Sequence, residues 1–435
     1  MNILIIGQCT LHWGRMEFGN IGNYYIIEPF IRELHLAFPG ANIKTTLQMS
    51  ERFCTDEQIE VLPIDLYYAW RDNELDLAKY ELGLSEDYKK NKILVGKTPY
   101  IEAVLWADLV VDFSGDIWGD NANFLGPDRF AVGLIKDKVA MNLGKKVVML
   151  AGSPGPFSDE KTTQLAKEVY ENFDLVTNRE PLSTSLLKAA GFNMDRTSTL
   201  ACPAFLFEPA VGPDIDRLLL SLGLLEAEKL SIGFILCGWN FEDGPFDKWP
   251  RQESEYSKFA EVIEYLTLEL GARVYLISHS NGFDIPPAPF ELKHGRDYTV
   301  LKQLENVLLK RGMARDVIAL NGVYDAWTTK AIIGAFDMLI SGRVHGAVAG
   351  LSQGVPTVLI DYGHEPKAHK ILGFANVASA AEYVVNPRDV IDMKEKISRC
   401  LEVKGQYKAK IDQTIPAVKA LARNNFSMLK EIFYE

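Results

Sequence analysis

Apolar and polar residues alternate along the chain in two distinct patterns. Short runs of consecutive apolar residues predict buried parallel strands, and longer stretches with an apolar residue at every third or fourth position predict amphipathic helices. In the first half, strands are predicted at residues 1–7, 41–47, 107–113, 145–151 and 175–177, and helices at 24–38 and 181–190. Residues 51–100 are polar and charged with scattered aromatic residues, and we expect helices that decorate the first domain there.

The second half repeats this alternation after a stretch with two prolines and a glycine at residues 207–214, which predicts a linker. Strands are predicted at residues 230–237, 272–278, 317–320, 338–340 and 356–360, and helices at 253–270, 301–311, 328–335 and 390–433.

Strands that alternate with helices form crossover units and therefore parallel sheets. We expect an α/β protein with two Rossmann-like domains, at residues 1–210 and 211–435, whose parallel sheets face a cleft. The final helix would pack back on the first domain. Ligands of such sheets bind beyond the carboxyl ends of the strands, which is where we look for chemistry.

Composition narrows the class of protein. The length of 435 residues fits two domains, and the net charge of −12 argues against a nucleic-acid partner. The five cysteines are widely spaced without a Cys-x-x-Cys motif, which predicts a reducing compartment without a disulfide framework or zinc site. The acidic residues Asp112, Asp116 and Asp120 could bind a divalent metal through oxygen ligands, but we favour no metal site. No window reaches the roughly 18 apolar residues of a membrane span, and the first residues do not form a signal peptide. We expect a cytoplasmic protein, with peripheral attachment to the membrane as an alternative; the oligomeric state stays open.

Residues 338–374 contain the strongest candidate site. Arg343 and His345 follow a predicted strand at the start of a helix rich in small residues, and Lys367 follows the next predicted strand. Backbone N–H groups at a helix start together with nearby cations bind anions, and arginine can hold a phosphate or carboxylate through two hydrogen bonds. A histidine titrates near neutral pH, so His345 can serve as acid or base. In the alternative interpretation Arg343 pairs with Asp361 and His345 is a core residue; we favour the anion site.

A second candidate is the glycine-rich loop around Gly19 and Asn20, after the first predicted strand. Glycines there would allow a ligand to approach the backbone closely, although a tight turn explains them equally well.

Three further candidates follow strands of the first domain. Asp116 could accept hydrogen bonds from sugar hydroxyls or act as a base, and Trp118 could stack on a sugar face. Arg179 could supply a cation from the first domain. The alternatives are a helix cap for Asp116, core packing for Trp118, and a surface salt bridge from Arg179 to Glu180 or a nearby acid.

The order of these segments resembles the polysaccharide pyruvyl transferase family. The resemblance covers residues 3–374 and rests on the Gly-Asn-x-Gly loop at 19–22, the Gly-Pro-Phe turn at 155–157, the Asn-Arg-Glu-x-x-Ser segment at 178–183 and, above all, the sequence SGRVHGAVAGLSQGVPTVLIDYGHEPK at 341–367. It implies a GT-B-like pair of domains and transfer of a pyruvyl group from phosphoenolpyruvate to a sugar of a cell-surface or exopolysaccharide precursor, which forms a cyclic ketal. By the same resemblance, Arg179, Arg343, His345 and Lys367 match the family's basic site residues.

These residue types suit that chemistry. Arg343 and Lys367 would hold the phosphate and carboxylate of phosphoenolpyruvate, with Arg179 closing from the other domain. His345 would be the acid or base, Asp116 would bind or deprotonate a hydroxyl of a sugar or lipid-linked glycan acceptor, and no cofactor is required. Two alternatives stay open: a GT-B glycosyltransferase that uses a nucleotide sugar, and a non-catalytic protein that binds a glycan or an anion.

Overall fold

The structure is a computed structural model that describes residues 1–8, 19–225, 229–243, 248–283, 291–313, 315–362 and 368–434. Contacts divide this part of the chain into two units. Unit 1 contains residues 1–8, Phe30–Cys202 and 421–434, and unit 2 contains residues 19–29 and Pro203–Ala420. Residues 19–29 therefore group with the second unit and residues 421–434 with the first, which differs from a single division at residue 210.

Unit 1 is built on a seven-stranded parallel sheet with the strand order β3-β2-β1-β4-β5-β6-β7. Its strands are β1 (Asn2–Ile6), β2 (Asn42–Thr45), β3 (Ile59–Val61), β4 (Leu109–Asp112), β5 (Lys146–Gly152), β6 (Leu175–Asn178) and β7 (Thr197–Thr199). Its helices are α1 (Ile21–Ala37, shared with unit 2), α2 (Glu51–Glu57), α3 (Glu74–Asn91), α4 (Pro99–Trp106), α5 (Arg129–Asn142), α6 (Glu160–Asn172) and α7 (Pro181–Ala189).

Local sequence explains where several of these helices begin. The side chains of Ser50, Thr98 and Asp159 each accept a hydrogen bond from a backbone N–H in the first turn of α2, α4 and α6. The central strands β1, β4 and β5 are apolar runs that are buried almost throughout, as expected for a parallel sheet with helices on both faces.

Unit 2 is built on a six-stranded parallel sheet with the order β12-β9-β8-β13-β14-β15 and a separate antiparallel pair, β10 and β11. Its strands are β8 (Ser231–Ile235), β9 (Arg273–Leu276), β10 (Asn281–Phe283), β11 (Leu292–His294), β12 (Val317–Ala319), β13 (Met338–Ser341), β14 (Thr357–Ile360) and β15 (Val384–Val385). Its helices are α8 (Pro213–Ser221), α9 (Ser257–Glu264), α10 (Arg296–Lys310), α11 (Ala326–Gly334), α12 (Val344–Leu351), α13 (Ala368–Val377), α14 (Val390–Glu402) and α15 (Lys404–Tyr434, which ends in unit 1).

The predicted α/β class with two parallel sheets is confirmed. Three short strands of the main sheets, β3, β7 and β15, were not predicted, because a run of two or three residues shows no periodicity. Helices α5, α6, α8 and α13 were also missed. Among the described helices, none combines the length and the apolar character that crossing a membrane requires.

Candidate active site

The strand ends of unit 2 place Arg343 in a buried ion pair. Arg343 is the N-cap residue of α12, directly after β13, and its Nε and Nη2 atoms donate to the carboxylate of Asp297 at 3.0 and 2.5 Å. The side chains of Arg343 and Asp297 are 15% and 2% exposed. In the alternative interpretation, Arg343 was expected to pair with Asp361. The structure shows an ion pair, but its partner is Asp297. Asp297 already occupies the Nε/Nη2 edge of the guanidinium, so a second anion would bind at the other edge, through Nη1 and the second N–H of Nη2.

The buried position and the charges of Arg343 and Asp297 change the pKa values of this cluster. Burial by itself lowers the pKa of Arg343, but the charge of Asp297 and its hydrogen bond outweigh burial and raise that pKa above its ordinary value. Burial and the positive charge of Arg343 lower the pKa of His279 to about 3, so the fully buried imidazole is neutral. Burial also raises the pKa of the Cys237 thiol to about 11. Arg343 is therefore the permanent cation of the cluster.

His345 lies in the first turn of α12 and is in contact with the start of α1. A Cβ atom at Gly22 would lie 2.6 Å from Cβ and 2.9 Å from Nδ1 of His345, so only glycine fits beside this imidazole. The ring of Phe374 packs edge-on against it, with 5.5 Å between ring centroids. The structure thus places His345, the predicted acid or base, next to the predicted glycine-rich loop, although the two are far apart in the sequence.

Backbone contacts hold the glycine-rich loop in unit 2. Gly19 accepts a hydrogen bond from the backbone N–H of Asn281 at 3.0 Å, and Asn20 forms an antiparallel bridge with Ser280. The Asn20 side chain also accepts from the backbone N–H of Gly22 at 3.0 Å. Through these hydrogen bonds Gly19 and Asn20 have a structural role in unit 2. A role of either residue in ligand binding stays a prediction.

Asn240, which sequence reasoning missed, joins three strand ends. This buried residue follows β8, and its Nδ2 atom donates to the carbonyl oxygens of Gly342 at 3.2 Å, Ile360 at 3.3 Å and Asp361 at 3.2 Å. A Cβ atom at Gly342 would lie 2.0 Å from Oδ1 of Asn240, which explains the glycine before Arg343. An asparagine shortly after a strand was the only signal in the sequence, and it does not identify its acceptors.

In unit 1 the strand ends bring two predicted residues together. Arg179 directly follows β6, is 4% exposed, and donates from Nε to the hydroxyl of Ser153 at 2.9 Å. Its Nη2 atom lies 4.0 Å from Oδ1 of Asp116, whose side chain is 30% exposed. Arg179 is therefore not in a surface salt bridge with Glu180, which instead caps α7 by accepting from the backbone N–H of Ser183. Asp116 is the more accessible member of the pair, and its role in ligand binding stays a prediction.

The expected sugar-stacking role of Trp118 was wrong. The side chain is fully buried in the core of unit 1 and packs edge-on against Phe130 and Phe157, with centroid distances of 5.5 and 5.9 Å. Its apolar surface already has protein neighbours, so no ring face is available to a sugar. Core packing, the alternative weighed for this residue, describes it correctly.

A pair of buried carboxyl groups was also missed. Asp112, the last residue of β4, and Asp137 in α5 are both fully buried. Burial raises the pKa of Asp112 to about 6, and burial together with the nearby Asp112 raises that of Asp137 well above its ordinary value. Both shifts favour the neutral acid, because the ionised form of a buried carboxyl group loses its hydration and meets a second carboxyl group nearby.

Lys367 lies outside the described residues, so its predicted place beside Arg343 stays a prediction. Within the described ranges, no group of three or more histidine, cysteine, aspartate or glutamate side chains is arranged to hold a metal ion. Among the predicted site residues of unit 2, the structure places Arg343 and His345 together at the start of α12.

Known proteins resemble this chain over nearly its full length. The amylovoran biosynthesis protein AmsJ of Erwinia amylovora is 23% identical over 432 residues, which cover 95% of this chain and 96% of AmsJ. Two solved structures share the fold: HepE of Anabaena in complex with UDP (13% identity, TM-score 0.59, covering 99% of this chain and 100% of that one) and the UDP-GlcNAc 2-epimerase of Neisseria meningitidis bound to UDP-GlcNAc (11%, 0.56, 100% of each). Both are GT-B proteins, which confirms the expected fold type.

The family of this chain is identified by a family model whose match includes the strand ends described above. The model of the family "Polysaccharide pyruvyl transferase" matches residues 20–364, which is more than half of the chain and runs from Asn20 through Arg343 and His345. This confirms the resemblance that the motifs indicated. The chain belongs to the polysaccharide pyruvyl transferase family.

Proposed function

We propose that the protein transfers the pyruvyl group of phosphoenolpyruvate to two hydroxyl groups of a sugar in a polysaccharide precursor and forms a cyclic ketal. The observation that carries the proposal is the placement of His345 in the first turn of α12, beside the buried cation Arg343, within the family match. The relation to an exopolysaccharide biosynthesis protein supports the class of acceptor.

The start of α12 suits the donor. The first N–H groups of a helix have no partner within the helix, and the helix dipole favours an anion there. Arg343 adds a permanent positive charge at that end, with Nη1 directed away from the two atoms that bind Asp297. We assign the phosphate or the carboxylate of phosphoenolpyruvate to this position, and we assign Lys367 to the other anionic group.

His345 is the proposed acid. Its imidazolium gives a proton to the methylene carbon of phosphoenolpyruvate, which becomes the methyl group of the ketal, and the positive charge that develops at C2 is attacked by a sugar hydroxyl. The hydroxyl proton returns to the imidazole. A second hydroxyl then attacks C2 as the C–O bond to phosphate breaks, and its proton leaves with inorganic phosphate. Fixed positive charge near the departing phosphate lowers the barrier of this last step.

We assign the acceptor to unit 1. Asp116 is the accessible carboxylate at the strand ends of that unit, and Arg179 lies near enough to orient it. The carboxylate would accept a hydrogen bond from a sugar hydroxyl; a direct contact of Arg179 with the donor stays a prediction. The five cysteines are widely spaced and form no Cys-x-x-Cys motif, which suits a reducing compartment, and we place the reaction in the cytoplasm.

A thermal-shift measurement tests the donor. We expect phosphoenolpyruvate to raise the melting temperature and UDP-sugars to leave it unchanged, because a ligand that binds only the folded state stabilises it. Stabilisation by a UDP-sugar and not by phosphoenolpyruvate would overturn the proposal in favour of glycosyl transfer. The chemistry is then tested with His345→Gln, which should abolish release of phosphate in the presence of the acceptor. His294→Gln, at a histidine stacked on Tyr298, is the matched control.

A further inference from the structure

The segment between α3 and α4 of unit 1 exposes apolar side chains to water. Ile93 is 65% exposed and Val95 is 71% exposed, whereas Leu94 between them packs against the core. Tyr80 in α3 is 58% exposed, and a Cβ atom at Gly96 would lie 3.4 Å from its hydroxyl, so the ring is beside the segment. We refer to Tyr80, Ile93 and Val95 as the apolar tip.

Ile93 and Val95 face water, at positions where a solvated loop usually has polar residues. Alternate side chains of an extended segment point to opposite faces, so the neighbours of an inward residue face water and are usually polar. Here both neighbours of Leu94 are β-branched and apolar. Neighbouring exposed apolar side chains rimmed by polar residues are characteristic of an interaction surface.

Lysines border the apolar tip. Lys89, Lys90, Lys92 and Lys97 are all exposed, and among the described residues none of them forms an ion pair with a carboxylate. Nζ of Lys92 lies 5.7 Å from the centroid of the Tyr88 ring. The stretch from residue 88 to residue 97 contains these four lysines and no acidic residue, in a chain with a net charge of −12. Glu86 and Asp87 precede this stretch, so residues 86–97 contain four lysines and two acidic residues and carry a net charge of +2 beside the apolar tip of an otherwise acidic protein.

We propose that the apolar tip and its four lysines dock unit 1 on an anionic lipid surface. Apolar side chains enter the boundary between headgroups and acyl chains, while neighbouring lysines attract anionic headgroups, and the two contributions add. Apolar exposure alone would fit many partners; the unpaired lysines are what select an anionic surface. The inference does not depend on the pyruvyl chemistry, although such docking would bring the protein close to a lipid-linked glycan acceptor.

Cosedimentation of the full chain with lipid vesicles tests this. We expect the protein to bind vesicles of phosphatidylcholine that contain about 30% phosphatidylglycerol and not vesicles of phosphatidylcholine alone, because the lysines need a negative surface potential. Binding should fall when the salt concentration rises to about 0.5 M, which shortens the range of the charge interaction. Equal binding to both compositions, or no binding to either, overturns the proposal.

Two variants localise the surface. Ile93→Ser/Val95→Ser should lower the partition coefficient on anionic vesicles by about tenfold, since both apolar side chains leave the interface. Lys92→Gln/Lys97→Gln should lower it by about fivefold for each lysine removed. Leu268→Ser, at a leucine of unit 2 that is 73% exposed, is the matched control and should bind as the unaltered protein does.

A control on self-association separates lipid from protein partners. If light scattering shows that the unaltered chain is a dimer that Ile93→Ser/Val95→Ser converts to a monomer, and vesicle binding is unchanged, the apolar tip is a contact between copies and the proposal is wrong. The thermal shift with phosphoenolpyruvate should be the same in these variants as in the unaltered protein. Failure of lipid docking is therefore distinguishable from failure of the proposed reaction.

Discussion

Lys330 in α11 is buried without a carboxylate partner, which leads to a quantitative prediction. The residue is 1% exposed, and its ammonium group donates to the backbone carbonyl of Phe207. It lies 5.8 Å from the centroid of the Tyr25 ring and 5.7 Å from that of Phe207. No ion pair to Lys330 is found among the described residues. A charge in this position has lost most of its hydration, so burial lowers the pKa of Lys330 from 10.5 to about 7.

The size and the sign of the effect follow from linkage. The pKa falls from 10.5 to about 7, and each unit corresponds to about 1.4 kcal/mol, so the protonated side chain disfavours the folded state by about 5 kcal/mol. Because the folded pKa is the lower one, the unfolded chain binds more protons between these two values. The free energy of unfolding therefore rises with pH through this window, and this stability is lost as the pH falls through the folded pKa.

Lys330→Met removes the titrating group and keeps most of its length. We expect the variant to be more stable than the unaltered protein near pH 7 and the difference between them to shrink by about 1.4 kcal/mol per pH unit up to about pH 10. Urea unfolding followed by circular dichroism at several pH values measures this. Lys161→Met, at an exposed lysine of unit 1, is the control and should show no such slope.

A difference in unfolding free energy between Lys330→Met and the unaltered protein that stays constant with pH would contradict a lowered pKa of Lys330. That result would mean that the hydrogen bond to Phe207 and the surrounding aromatic rings stabilise the charged ammonium as well as water does.

Three further variants test the strand ends of unit 2. Gly22→Ala should lower kcat by about 100-fold with little change in the binding of phosphoenolpyruvate, because the new methyl group displaces His345. Steady-state phosphate release measures kcat, and an unchanged kcat would contradict this account. Asp297→Asn should lower the free energy of unfolding by about 3 kcal/mol, because Arg343 keeps its buried charge without a charged partner; a urea titration in which the midpoint does not move would argue against that account. Asn240→Ala should cost about 2 kcal/mol in the same titration, since it leaves strand-end carbonyl groups without a donor, and a neutral result would show that water replaces the amide.

Local pattern predicted most of the architecture. The largely apolar strands β1, β4, β5, β8, β13 and β14 were all identified, because a strand that is buried on both faces has a run of consecutive apolar residues. The position of Arg343 and His345 at the start of α12 was also predictable, since a strand followed by small residues determines it locally.

Side-chain partners were not predictable from the pattern. Arg343 binds Asp297, 46 residues earlier in the chain, rather than Asp361, which was nearer in sequence. Trp118 had the sequence context of a loop residue, yet helices α5 and α6 and their neighbouring loops cover it completely. Such outcomes depend on which surfaces come together when the chain folds.

The sequence by itself determined the fold class, the family and the position of Arg343 and His345 at the start of a helix, because hydrophobic periodicity and short motifs are properties of neighbouring residues. Only the tertiary structure decided that Gly22 makes room for His345, that Asn240 joins three strand ends, and that Ile93 and Val95 face water. Each of these depends on contacts, or on their absence, between segments far apart in the chain. Loop closure and packing select those contacts, and they leave no periodic signal in the order of residues.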